Sequence, residues 1–194
     1  MAQRSRDLKA KGLDVISLSI GEPDFDTPQH IKDAAIQAIN DNYSHYPPIP
    51  GYQDLRKAIS DKLLRENGLT YAPSQIVIST GAKQALFNAM FAVVDHGDEV
   101  IIPSPFWATY MDIVTLCEGK SVIVRTSIDQ SFKITPEQLE KAITPKTKLL
   151  MLNSPSNPTG AVYSAEELEK LADIIRKHPQ IKVISDEIYE LISF

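Results

Sequence analysis

The sequence predicts an α/β protein, a mostly parallel sheet with helices on both faces. Two observations carry that prediction. Short apolar runs without polar interruption, such as Val100-Ile101-Ile102 and Leu149-Leu150-Met151-Leu152, read as strands covered on both sides. Between such runs lie segments whose apolar residues recur three and four apart, the period of an amphipathic helix. Strands alternating with helices are the pattern of crossover-connected parallel sheets.

The elements follow in order. Ile31, Ala34, Ala35, Ala38 and Ile39 have helical spacing, and Thr27-Pro28 supplies an N-cap and first-turn pair ahead of them. A second helix runs from Gly51 through Leu55, Ala58, Ile59 and Leu63, with Gly68 placed to end it. Ile76-Val77-Ile78-Ser79 is a β-branched run that reads as a strand. The segment from Ala82 to Val94 is apolar on nearly every side and predicts a buried helix, ended by His96-Gly97-Asp98. Further strands are expected at Val100–Ile102, Ser121–Val124, Leu149–Leu152 and Ile181–Ser185. Ser164 and Glu167 form a capping box before Leu168, Leu171, Ala172 and Ile175, and Thr135-Pro136-Glu137-Gln138 starts a short helix in the same way.

Composition narrows the function. The 194 residues carry 20 Lys plus Arg against 25 Asp plus Glu, a net charge of -5, so the basic stripe of a nucleic-acid binder is not expected. No apolar stretch of about 18 residues occurs, so no membrane span is expected. The opening MAQRSRDLKAKGLD lacks the apolar core of a secretory signal. A single cysteine, Cys117, excludes a disulfide framework and fits a reducing cytoplasm, which makes the Asn42-Tyr43-Ser44 sequon incidental. His30, His45, His96 and His178 are scattered, so no metal site is expected.

In a parallel sheet, ligands bind beyond the C-terminal ends of the strands, and four such exits bear chemistry. Ser79-Thr80-Gly81-Ala82-Lys83 turns through glycine into a helix, whose free N–H groups and dipole suit an anion such as phosphate; a tight turn without ligand has the same pattern. Neither GxGxxG nor GxxxxGK[ST] occurs. After Ile102-Pro103-Ser104-Pro105-Phe106 comes Trp107, the only tryptophan, available either to stack on a flat ring or to fill core. Asn153-Ser154-Pro155-Ser156-Asn157-Pro158-Thr159-Gly160 is a stiff polar loop that can present an amide or simply turn the chain. Asp186-Glu187 closes the last strand, where a desolvated carboxylate needs a cation or several donors; a helix-capping role competes.

Taken together, Ser19-Ile20-Gly21-Glu22-Pro23-Asp24-Phe25, Ser79-Thr80-Gly81-Ala82-Lys83, Ser154-Pro155-Ser156-Asn157-Pro158-Thr159-Gly160 and Ser185-Asp186-Glu187-Ile188-Tyr189 resemble, in order and spacing, the class I/II aminotransferases among the fold-type-I pyridoxal-phosphate enzymes. Within them the chain looks most like the bacterial aspartate aminotransferases, over essentially its whole length.

The resemblance implies pyridoxal 5′-phosphate as cofactor and amino-group transfer between an amino acid, with aspartate favoured, and a 2-oxo acid. It implies that the N–H groups around Gly81, Ala82 and Lys83 hold the phosphate and that Trp107 stacks on the pyridine ring. Asp186 would pair with the ring nitrogen, and Tyr189 and Asn157 would face the 3′ oxygen. Asn157, Trp107 and Gly21 would also hold the substrate, and Tyr46 would reach the phosphate of the neighbouring subunit's cofactor in a homodimer.

The family's Schiff-base lysine and its carboxylate-binding arginine are expected beyond Phe194, and Met1 resembles an internal position of the family's first helix. The chain is therefore expected to be the central part of such an enzyme, with no catalytic lysine of its own and inactive alone. On this reading residues 1–30 are an N-terminal segment of the small domain or its linker, and residues 31–194 are the cofactor-binding large domain, incomplete at its C-terminal side. A β-lyase or synthase on the same fold, or a non-catalytic regulatory domain, would carry the same cofactor motifs.

Overall fold

The structure, a computed structural model, describes residues 2–16, 21 and 25–192. The chain divides into two compact units, Met1–Ile49 and Pro50–Phe194. The first holds helices α1 (Ala2–Ala10) and α2 (Gln29–Asn40). Helix α2 carries the expected apolar stripe, but none of its residues is buried. It also starts later than the sequence suggests. Pro28 stands in the capping position with no side-chain cap, so Thr27 is not the cap. Proline keeps its fixed φ just outside the first turn, where no N–H is needed.

The second unit contains α3 (Gln53–Asn67), α4 (Ala82–Val93), β1 (Glu99–Ser104), α5 (Thr109–Leu116), β2 (Lys120–Arg125), α6 (Pro136–Ala142), β3 (Thr147–Asn153), α7 (Ala165–Arg176) and β4 (Lys182–Asp186). The four strands are all parallel, in the order β2-β1-β3-β4. Helix α3 ends at Gly68, whose φ of 67° is the left-handed conformation that glycine adopts at little cost. Both capping boxes form. Ser164 accepts from the Glu167 N–H at the start of α7, and Thr135 accepts from the Gln138 N–H at the start of α6.

Alternation along the strands builds two cores, one on each face. Val100, Ile102, Leu149 and Met151 pack with Leu86 and Met90 of α4 and Tyr110, Ile113 and Val114 of α5. Ile101 and Leu150 pack on the other face with Leu139 of α6 and with Leu171 and Ile174 of α7. Burying each such aliphatic side chain contributes ~1.5–3 kcal/mol, which outweighs its lost rotamer freedom.

Two expectations fail here. Ile76–Ser79 is neither helix nor part of a strand pair among the described residues; its Ile78 N–H donates to Pro50 O at 3.0 Å and Val77 is exposed. A β-branched run favours the extended backbone, but only a partner chain makes it a strand. Helix α4 is not buried on all sides either. Only Leu86 and Met90 are enclosed, and Phe91 stacks on Phe87 with its ring exposed. The sheet covers one side of the helix, so its apolar outer side meets no comparable surface among the described residues.

Candidate active site

The parallel register brings three strand exits to one edge. Asn153 and Asp186 are paired neighbours at the ends of β3 and β4, and β1 ends beside them at Ser104. The chain then delivers Trp107 after β1, Asn157 after β3 and Tyr189 after β4. Helix α4 starts at the same edge. There Ala82, Trp107, Tyr110, Asn153, Asn157, Asp186, Ile188 and Tyr189 line one cavity of about 170 Å³. An apolar cleft of about 360 Å³ adjoins it, sharing Ala82, Asp186 and Ile188.

Gly81 makes the turn into α4. Its φ of 81° lies in the region that L side chains rarely adopt, although a Cβ there would meet no atom within 4 Å. Backbone conformation, not space, requires glycine. The first intrahelical bond is Ala85 N–H to Gly81 O at 3.2 Å, which leaves the Ala82, Lys83 and Gln84 N–H groups as the orphan donors of the helix end. The Gly81 N–H is already spent on Ser79 O at 2.8 Å, so the donors for an anion begin at Ala82 and not at Gly81. The Thr80 N–H is likewise taken by the Gln84 side chain.

Asp186 is buried, 8% exposed. Its carboxylate accepts the Tyr110 hydroxyl at Oδ2 (2.7 Å) and the Ile188 N–H at Oδ1 (3.2 Å). Among the described ion pairs none involves Asp186. A buried carboxylate without a cation, facing a cavity, is suited to a positively charged ligand atom. Burial first, then the bond to Asp186, pushes the Tyr110 phenol far above its ordinary value, so it stays a donor.

Trp107 is half-buried and meets Tyr110 edge to face, with ring centres 5.6 Å apart. The Lys83 ammonium stands over the indole, 5.1 Å from its centre. Asn153 links the two neighbouring exits, donating to Asp186 O (2.8 Å) and accepting the Asn157 N–H (2.7 Å). Beyond Tyr189, Glu190 pairs with Lys62 and accepts from Asn67 Nδ2 at 3.1 Å, which ties that turn to α3.

Ala82, Trp107, Asn157, Asp186 and Tyr189 are thus gathered in one place, and Lys83 stands at its rim. Gly21 and Tyr46 belong to the other unit, where both are exposed. Most of the Ser19–Phe25 motif lies outside the described residues. The sequence reading missed Tyr110 and Asn153. Tyr110, an aromatic three residues after Trp107, was a signal of sorts, because that spacing allows a shared face. Asn153, the last residue of its strand, reads in the sequence only as part of the polar loop that follows. No group of residues suited to a metal ion occurs among those described.

The profile of the family "Aminotransferase class I and II" matches residues 13–194. The chain belongs to that aminotransferase family. The aspartate/prephenate aminotransferase of Nitrosomonas europaea is 52% identical over 183 residues, 94% of this chain and 46% of that protein. The crystal structure of the aspartate aminotransferase from Rhizobium meliloti superposes with a TM-score of 0.95 at 48% identity, covering 100% of this chain and 48% of that one. That of the Thermus thermophilus aspartate aminotransferase with maleate gives 0.93 at 45% identity, covering 97% and 49%. This aminotransferase-family chain therefore spans about half the length of the relatives it matches.

Proposed function

We propose that this chain is the cofactor-holding part of a pyridoxal-phosphate-dependent aminotransferase that moves an amino group between a dicarboxylic amino acid, aspartate first, and a 2-oxo acid. The observation that carries the reading is the cavity that Asp186 shares with Trp107, Asn157, Tyr189 and the start of α4. The residues fit the group: a buried carboxylate lacking a cation among the described ion pairs, a flat indole, and orphan N–H donors at Ala82 and Lys83. When bound, pyridoxal phosphate supplies an electron sink for the charge left when an amino acid loses its Cα proton.

The chain's residues have these roles. Asp186 would pair with the ring nitrogen and hold a proton there, and Trp107 would stack on the ring. The Ala82 and Lys83 N–H groups, with the positive end of α4, bind the phosphate. Tyr189 would donate its hydroxyl to the ring's 3′ oxygen, with the Asn157 amide beside it, and Asn157, Trp107 and Gly21 would help hold the amino acid. The Thermus thermophilus relative was solved with maleate, a dicarboxylate, which supports a dicarboxylic substrate.

The same reading assigns residues 1–30 to the small domain or its linker and 31–194 to the large domain. It takes the protein as a homodimer in which Tyr46 reaches the partner's cofactor; Tyr46 and Ile49 are fully exposed, as such a contact requires. It takes the protein as cytoplasmic, in keeping with a lone cysteine and no described helix long and apolar enough to cross a membrane.

Product analysis of the intact protein with aspartate and 2-oxoglutarate tests the reaction. Glutamate and oxaloacetate in equal amounts are expected. Release of ammonia would assign a lyase instead, and no turnover with any amino acid would leave a binding domain.

A further inference from the structure

Tyr110 touches both walls of the cavity. Its hydroxyl donates to Asp186 Oδ2 at 2.7 Å, and its ring meets the Trp107 indole edge-on at 5.6 Å and 90°. It is 2% exposed, and its ring sits in the core cluster with Met90, Ile102 and Met151. The rigid strands β1 and β3 therefore hold the phenol in place. With the Ile188 N–H on Oδ1, the carboxylate is gripped at both oxygens, which fixes its plane and leaves one acceptor direction on each oxygen for a ligand.

We propose that Tyr110 is a positioning residue of the cofactor slot: its hydroxyl aims the Asp186 carboxylate at the ring nitrogen while its ring edge sets the tilt of the stacking Trp107. The proposal rests on the reading of Asp186 as partner of the ring nitrogen. Because the phenol stays protonated, it acts as a fixed donor and not as an acid or base. A buried hydrogen bond to a charged acceptor is among the stronger ones, and its loss leaves the acceptor free to rotate away from the ligand.

The test separates the proposal from the reading beneath it. Pyridoxine 5′-phosphate, whose alcohol cannot condense with lysines, is titrated into the chain while the emission of Trp107, its only tryptophan, is followed. The titration is repeated with the 1-deaza analogue, in which a CH replaces the ring nitrogen. The wild-type chain should prefer the nitrogen ring by about tenfold or more, and Asp186→Asn should abolish that preference. Tyr110→Phe, which keeps the ring, should retain quenching by both ligands and lose most of the preference.

If Asp186→Asn keeps the preference, or if wild type shows none, the reading and the proposal both fall. If Asp186→Asn loses it but Tyr110→Phe keeps it, the reading stands and the proposal is overturned. Equal weakening of both ligands by Tyr110→Phe also overturns it, because that is the mark of packing alone. Should Tyr110→Phe not fold, 3-fluorotyrosine placed at position 110 keeps the shape and strengthens the donor. The preference should then rise, and an unchanged value counts against the proposal.

Discussion

The side-chain amide of Asn153 donates to the carbonyl of Asp186 across 2.8 Å, joining the ends of β3 and β4 where their ladder stops. Its oxygen simultaneously accepts the Asn157 N–H at 2.7 Å. One side chain thus fixes the exits that carry two of the proposed ligand contacts. Asn153→Ala removes both bonds; the Asp186 carbonyl keeps the Ser154 N–H at 3.3 Å, while the Asn157 N–H is stranded in a part-buried site, at about 1–3 kcal/mol. A denaturation midpoint lowered by that amount without a change of slope is the expected result. A variant as stable as wild type would show that water replaces the amide at no cost.

The proposed chemistry turns on Asp186. Removing one member of a buried charge pair costs ~3–5 kcal/mol. Felt in the transition state, that is roughly two to three and a half decades of rate. Asp186→Ala in the intact enzyme should lose that much turnover while still folding, as judged by circular dichroism. Near-normal turnover would remove Asp186 from the mechanism.

The phosphate assignment can be tested at a single backbone atom. Ala82 is the first residue of α4, where proline is well tolerated because the N–H has no helical partner. Ala82→Pro therefore deletes a proposed phosphate donor while the helix persists. Its affinity for pyridoxine 5′-phosphate relative to unphosphorylated pyridoxine should fall by about tenfold, the weight of a charge-assisted hydrogen bond. An unchanged ratio would move the anion elsewhere.

Acid stability should report on Glu99, at the opposite edge of the sheet. The Thr144 hydroxyl (2.6 Å) and then the Lys120 ammonium (2.9 Å) hold its buried carboxyl below the ordinary value of 4.5. A carboxyl with a lowered folded pKa contributes stability that is complete above its unfolded pKa and is lost as pH falls through the folded one. Urea unfolding followed from pH 6 downward should show this loss below about pH 4.5. Glu99→Gln should be less stable at pH 6 and flatter on the acid side. An identical acid limb in the variant would shift the cause to another carboxyl.

Short apolar runs marked β1 to β4 and the 3.6-residue period marked α3 and α7, because both signals are local and need no partner to be read. The capping boxes at Thr135 and Ser164 were equally legible, since each bond closes within three residues. At the strand exits, Trp107 and Asp186 could be named from their positions, whereas Asn157 and Tyr189 were named through the family resemblance; the rule that parallel strands gather ligands at one edge gave them a common place.

What the sequence could not supply was the partner of each group. Ile76–Ser79 has the composition of a strand but belongs to no strand pair among the described residues, and α4 has the composition of a buried helix with only Leu86 and Met90 enclosed among them. Tyr110 and Asp186 lie 76 residues apart, so their bond exists only once β1 and β4 are set by the sheet. The Gly81 N–H was a plausible phosphate donor until the fold turned it back onto Ser79. Local spacing determines which residues stand at the edge; hydrogen bonding and burial are satisfied across the sheet, so the tertiary structure alone decides which of them meet.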